Sequence, residues 1–177
     1  QAMRRLSPPG HASGFSTKLF TENFLEIPHL AQIVKSSAAK IGVNIGLTIE
    51  TSSQYYGKAV FGQSDWLDGA MSLVDFGHRS VPNVLLTAPL QSSGTWNAAH
   101  FKNTTYDTLS KQYIATPTTD PTGQKTVAGK IQNLLLEQTP TIYAYFYHSL
   151  TATSTNVTAL APPAHGPPSL LHAPTAA

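Results

Sequence analysis

Apolar residues between Pro28 and Gly42 recur at helical spacing. Counted from Leu30, they follow three, four, eight and eleven positions later, at Ile33, Val34, Ala38 and Ile41. This spacing places them on one face of a helix. Pro28 suits the first turn of such a helix and Gly42 its C-terminal end. After Gly42, apolar and polar residues alternate in VNIGLTIE, residues 43–50, which predicts a half-buried strand.

The rest of the chain continues this alternating order of strands and helices. Further strands are predicted at residues 17–24, 66–76, 141–150 and 156–160. Further helices are predicted at residues 53–60 with Ser53 as the N-cap, near 84–86, at 106–114, and from about residue 124 to Pro140. Residues 77–104 carry Gly, Pro, Ser and Asn and are predicted to form a long loop. The pattern is typical of an α/β fold.

The composition limits the classes of function. A length of 177 residues suits one domain with its own core. Charged residues make up 11% and the net charge is +2, so no nucleic-acid partner is expected. The absence of cysteine excludes a disulfide, a zinc–thiolate site and a cysteine nucleophile. No uncharged apolar run approaches the ~18 residues of a membrane span.

The two ends differ in composition from the middle. Residues 1–14 are rich in Pro, Gly and Ser, and residues 161–177 are rich in Ala, Pro and His. We predict that both ends are disordered. The predicted domain therefore spans residues 15–160.

The stretch DFGHR concentrates charge in a chain that has little of it. It contains Asp75, His78 and Arg79. Arg79 could bind a substrate carboxylate through its planar fork, or it could pair with Asp75 at the base of a loop. His78 has no histidine partner at metal-binding spacing, since the nearest is His100, 22 positions on. No metal site or other cofactor is therefore predicted.

Two further segments contain side chains suited to a binding pocket. In SSGTWNAAHF, Trp96 could cover an apolar ligand face and Asn97 could bind amides. The alternative is a loop that packs on its own tryptophan. In FTENFLE, Glu22 and Glu26 are expected to be solvated.

Three sequence blocks, in order, resemble extracellular solute-binding proteins of the family 5 type, the peptide- and nickel-binding receptors of ABC transporters. The blocks are LAQIVKSSAAKIGVNIGLTIETSSQYY, WNAAHFKNTTYDTLSKQY and AGKIQNLLLEQTPTIYAYFYHSL. The resemblance covers residues 14–160, about the C-terminal third of a family member. It implies the C-terminal lobe of a periplasmic-binding-protein-like (type II) fold, with a mixed sheet flanked by helices.

The resemblance also implies a function. The chain would be a fragment of the substrate-binding component of an ABC importer, which captures peptides or similar small solutes and is not an enzyme. Asp75 matches an acid of the family that can hold a peptide's amino terminus. Pro82 matches the following proline, but Val81 stands where an acid is usual, so recognition of the ammonium group stays open. Asp75, His78, Arg79, Trp96 and Asn97 are the predicted ligand-binding residues.

The resemblance places the protein in the periplasm or outside the cell, associated with the membrane through the part that precedes Gln1. Its partners would be the permease and ATPase subunits, and it would be a monomer. Two alternatives are a small α/β hydrolase-like enzyme and a truncated gene product without a function of its own. The hydrolase requires a serine within hydrogen-bonding reach of His78 or His100.

Overall fold

A three-stranded parallel sheet organises the N-terminal half of the chain. The structure is a computed structural model, and it describes residues 14–77, 79 and 81–146. Strand β1 (Phe15–Glu22) lies between β2 (Val43–Glu50) and the two-residue β3 (Ser72–Leu73). The predicted α/β class is confirmed. The strands that the structure describes are all parallel, whereas we expected a mixed sheet.

The helix–glycine–strand prediction is confirmed closely. Helix α1 (Ile27–Ala39) begins with Pro28 in its first turn and is followed by Gly42, whose φ of 84° lies in the left-handed region. A side chain at that φ would be strained, which explains why the helix ends at a glycine. The next residue, Val43, starts β2.

The two faces of the sheet pack against different clusters of side chains, because alternate residues of a strand point to opposite sides. On one face Leu19, Val43 and Ile45 pack with Ala31 of α1 in a first apolar cluster. The other face carries Phe20, which contacts an aromatic cluster. The register pairs Glu22 with Glu50 at the carboxyl end of the strands.

Short helices follow the sheet. They are α2 (Ser52–Tyr56), α3 (Asp65–Asp68) and α4 (Asn83–Thr87). The predicted helix 53–60 is shorter than expected and is capped by Thr51, whose N–H donates to Gln54 Oε1 at 3.2 Å. It ends at Gly57, which has a φ of 53°. The helix predicted near 84–86 is present as α4.

The strand predicted over residues 66–76 was mostly wrong. Its first part is α3, and only Ser72–Leu73 pair with β1. The Asp68 carboxylate accepts the N–H groups of Gly62 and Ser64. These bonds lower the pKa of Asp68 and close the chain into a turn, an alternative to strand pairing that polar residues favour.

Two longer helices form the C-terminal half. Helix α5 (Thr104–Ala115) is capped by the Asn103 side chain, which accepts the Tyr106 N–H at 3.0 Å. Helix α6 (Pro121–Gln138) is capped by Asp120, which accepts the Gly123 N–H at 2.9 Å. Both helices were predicted, although α6 starts earlier than expected. They bury a second apolar cluster around Leu90, Tyr106, Val127 and Ile131.

The strand predicted at residues 141–150 is not formed within residues 141–146. Aromatic and β-branched composition favours a strand only where another strand is available for pairing. Residues 147–150 and the strand predicted at 156–160 lie outside the described residues. The predicted disordered ends lie outside them too, apart from Gly14.

Candidate functional site

The carboxyl ends of β1 and β2 bring two glutamates side by side. Glu22 and Glu50 are register partners, so their side chains project from the same face of the sheet. Ligands of α/β sheets bind beyond the carboxyl ends of the strands. This edge is therefore where a binding site is expected.

Glu22 is buried, contrary to the expectation that it is solvated. It is only 8% exposed. The Ser52 hydroxyl donates to Glu22 Oε1, and the Tyr56 hydroxyl donates to Oε2 at 3.2 Å. Two hydroxyl donors compensate part of the cost of burying a carboxylate. Glu22 thus fixes α2 against the end of β1.

An aromatic cluster covers this edge of the sheet. Tyr56 contacts Tyr55 and Trp66 edge-to-face, with ring centroids 5.0 and 5.4 Å apart. Burial, with the charges of Glu22 and Asp75, raises the pKa of Tyr56 to about 12. Asp75 therefore lies within electrostatic reach of the Tyr56 hydroxyl, and its own side chain is exposed. The cluster continues to Phe76 and Trp96.

Arg79 joins the two predicted binding segments. Its guanidinium carbon lies 5.6 Å from the centroid of the Trp96 ring, a cation–π arrangement. Its Nη1 donates to the Gly77 carbonyl at 2.9 Å. Trp96 also contacts Phe76, with ring centroids 6.4 Å apart. Neither of these two Arg79 contacts involves Asp75, so an Asp75–Arg79 pair at the loop base remains a prediction. His78 lies outside the described residues.

Asn97 is buried, and its side-chain amide hydrogen bonds to the backbone of its own loop. It is 3% exposed. Its Nδ2 donates to the carbonyls of Gln91 and Phe101 at 3.1 and 2.8 Å, and its Oδ1 accepts the Phe101 N–H at 2.9 Å. The side-chain amide therefore closes the loop that presents Trp96. The structure brings Arg79 and Trp96 into contact, leaves Asp75 exposed within electrostatic reach of Tyr56, and buries Asn97.

Among the residues that the structure describes, His100 makes no hydrogen bond to a serine, which is the contact that a hydrolase needs. Its Nε2 lies 3.0 Å from the Leu67 carbonyl, and its ring contacts Phe61. Within residues 14–77, 79 and 81–146, no group of three His, Cys, Asp or Glu residues could hold a metal ion. No helix there is long and apolar enough to cross a membrane.

The sequence analysis did not predict that Glu22, Glu50 and Tyr56 come together at this edge of the sheet. A usable signal exists, because both strands end in the same way, in FTE and TIE. Parallel strands of equal length whose first residues are register partners also have partnered last residues, as Phe15 with Val43 and Glu22 with Glu50. Acids that end two such strands should therefore lie side by side.

Solved structures share this fold. The Escherichia coli murein tripeptide binding protein MppA matches with a TM-score of 0.67 at 22% identity, over 79% of this chain and 27% of that one. The Helicobacter pylori periplasmic binding protein DppA, in complex with the peptide STSA, matches with a TM-score of 0.64 at 19% identity, over 78% and 27%. Staphylococcus aureus NikA, in complex with Ni(L-His)2, matches with a TM-score of 0.65 at 20% identity, over 78% and 29%.

The chain thus spans little more than a quarter of the length of these proteins. Neither the family models nor the curated protein sequences give a match to it. At the level of fold, the solved structures confirm the resemblance to peptide- and nickel-binding receptors of ABC transporters that the three sequence blocks indicated.

Proposed function

We propose that this chain is part of the substrate-binding component of an ABC importer and forms one wall of a cleft that captures peptides or similar small solutes. The observation that carries the proposal is the fold, shared over more than three quarters of the chain with receptors solved with a peptide or a nickel–histidine complex. The matched region is proposed to be the C-terminal lobe. It acts by binding and not by catalysis.

The proposed binding wall is the surface formed by Asp75, Arg79 and Trp96. Asp75 supplies an exposed negative charge beside Tyr56. Arg79 supplies a positive charge over a large aromatic ring. A free peptide carries an ammonium and a carboxylate group, which these two charges complement. Trp96 supplies the apolar surface for the peptide's body.

Capture by such a receptor takes place between two lobes that close on the ligand. The permease and ATPase subunits are the proposed partners of the whole receptor, at the outer face of the membrane or in the periplasm. One wall contributes only part of the contacts, so the 177-residue chain should bind weakly. We expect a Kd of about 1 mM or weaker for a tripeptide, which corresponds to roughly −4 kcal/mol.

Peptide binding to the chain tests the proposed wall. In a titration of isotope-labelled protein with a neutral tripeptide, the backbone amide signals of Asp75 and Arg79 and the indole N–H of Trp96 should shift. Acetylating the peptide's amino group should reduce the shift at Asp75, and amidating its carboxyl group should reduce the shift at Arg79. Each blocked peptide removes one charge and leaves the other, so each is the control for the other.

Variants sharpen the same test. Asp75→Asn should reduce the same peptide-induced signal shifts as acetylation of the peptide does. Glu137→Gln, which replaces an exposed acid on α6, should leave those shifts unchanged. Shifts that are confined to α5 and α6 would contradict the proposed wall. Micromolar binding by the chain would contradict the view that it holds only part of the contacts.

A further inference from the structure

Trp96 lies on a short loop, residues 96–100, that packs against the aromatic cluster. The Trp96 N–H donates to the Ala88 carbonyl at 2.9 Å, and the His100 N–H donates to the Asn97 carbonyl at 2.9 Å. His100 has a φ of 49°, in the left-handed region, which histidine enters more readily than most residues with a side chain. These bonds shape the loop but do not fix it against α3, since neither of them reaches that helix.

The His100 side chain supplies a hydrogen bond from this loop to α3. Its Nε2 lies 3.0 Å from the Leu67 carbonyl, 33 positions away in sequence. A carbonyl only accepts hydrogen bonds, so Nε2 carries a proton in this contact. Leu67 lies in α3, a helix of four residues, and the last carbonyls of a helix have no partner within it. The imidazole therefore caps the end of α3 from a distant segment.

The His100 ring also packs on the turn that precedes α3. It contacts the Phe61 ring, with ring centroids 5.5 Å apart. The N–H of Gly62, which follows Phe61, donates to the Asp68 carboxylate at 2.9 Å, so this turn is itself fastened to the end of α3. His100 thus makes a polar contact and a packing contact, and the two predict different effects of substitution at this position.

Apolar packing alone would leave the orientation of the loop open. Leu67 is 0% exposed, and Trp96 and Ala98 pack against the cluster to which it belongs. Apolar contact has little directionality, whereas a hydrogen bond weakens steeply when donor and acceptor are misaligned. The bond from His100, four residues after Trp96, therefore sets the angle at which the loop meets α3.

We propose that His100 is a positioning residue of the proposed binding wall. Through its Nε2–H bond to the Leu67 carbonyl it orients the loop so that the Trp96 ring meets the Arg79 guanidinium, whose carbon lies 5.6 Å from the ring centroid. The importance of this orientation for a ligand rests on the proposed function, but the orientation itself is a property of the chain without ligand. The role requires no contact between His100 and the peptide.

NMR of the ligand-free 177-residue chain tests the positioning role. In the wild type, long-range proton–nitrogen spectra should show a proton on His100 Nε2, and cross-peaks should join the Trp96 ring to the Arg79 side chain. His100→Ala should reduce the ratio of the oriented loop to other orientations about fivefold, the factor that one hydrogen bond contributes, and so weaken these cross-peaks. His100→Gln can donate to the Leu67 carbonyl and should retain more of them than His100→Leu, which has no donor.

His29→Ala is the matched control, because it removes an exposed histidine from α1, and its cross-peaks should equal those of the wild type. Wild-type cross-peaks in His100→Ala would overturn the proposal. Equal cross-peaks in the Gln and Leu variants would also overturn it, because packing on Phe61 would then be the whole role. If no variant at position 100 folds, the wild type decides, since a ring protonated on Nδ1 alone excludes the bond to Leu67.

The tripeptide titration is a separate readout of the same variants. In His100→Ala the peptide-induced shift of the Trp96 indole signal should decrease, while the shift at Asp75 persists. A wild-type chain that binds no peptide but keeps the cross-peaks between Arg79 and Trp96 would contradict the proposed function and still support the positioning role.

Discussion

Replacing Leu19 by alanine is expected to lower the free energy of unfolding by about 3 kcal/mol, within the range of about 2–5 kcal/mol for buried leucines. Leu19 is 2% exposed in the central strand β1. It packs on Ala31 of α1 and on Val43 and Ile45 of β2. The truncation removes apolar contact from the cluster that joins the sheet to α1 and leaves a cavity, because β1 is paired on both sides and cannot move in to fill it.

Urea unfolding followed by circular dichroism measures this effect. Leu136→Ala is the matched control, since Leu136 is 70% exposed on α6 and the same atoms are removed. Its unfolding free energy should stay within about 0.5 kcal/mol of the wild type. Equal costs for the two variants would contradict the burial of Leu19 in the cluster that joins the sheet to α1.

Local pattern was sufficient where the structure depends on neighbours in sequence. The helix that ends at Gly42 and the strand that follows it were predicted because their apolar spacing is regular and a glycine separates them. The same holds for α5, where Asn103 caps the first turn. In these segments local propensity and tertiary packing favour the same structure.

Pattern failed where the outcome depends on distant partners. Residues 66–76 have a strand-like composition, yet the Asp68 carboxylate binds backbone N–H groups of Gly62 and Ser64 and turns the chain. Residues 141–146 contain Ile142 and Tyr143, which favour strands, but no described strand pairs with them. Propensity cannot show whether an edge is available for pairing.

In the candidate site, too, the sequence identified local segments but not the contacts between residues that are distant in sequence. The proximity of Arg79 to Trp96 joins two segments that the sequence had singled out separately. The sequence predicts a solvated Glu22, and this prediction is wrong because the donors that satisfy the buried carboxylate, Ser52 and Tyr56, lie 30 and 34 positions away. A charged residue at a strand end gives no local sign of such donors.

Replacing Asn97 by alanine is expected to destabilise the fold by about 3 kcal/mol and to leave peptide recognition by the folded chain intact. The change removes three hydrogen bonds and takes from the Phe101 N–H and the Phe101 carbonyl their Asn97 partner, whereas the Gln91 carbonyl still accepts the Gly94 N–H at 2.8 Å. An unsatisfied buried polar group costs about 1–3 kcal/mol.

Two companion variants separate this structural role from ligand binding. Asn97→Asp keeps an acceptor for the Phe101 N–H but cannot donate to either carbonyl, so it should also destabilise the chain. Asn133→Ala, at an exposed position of α6, should stay within about 0.5 kcal/mol of the wild type. Unfolding in urea gives the stabilities, and the tripeptide titration gives recognition. A stable Asn97→Ala chain whose signals no longer respond to the tripeptide would instead make Asn97 a ligand-binding residue, as the sequence alone predicted.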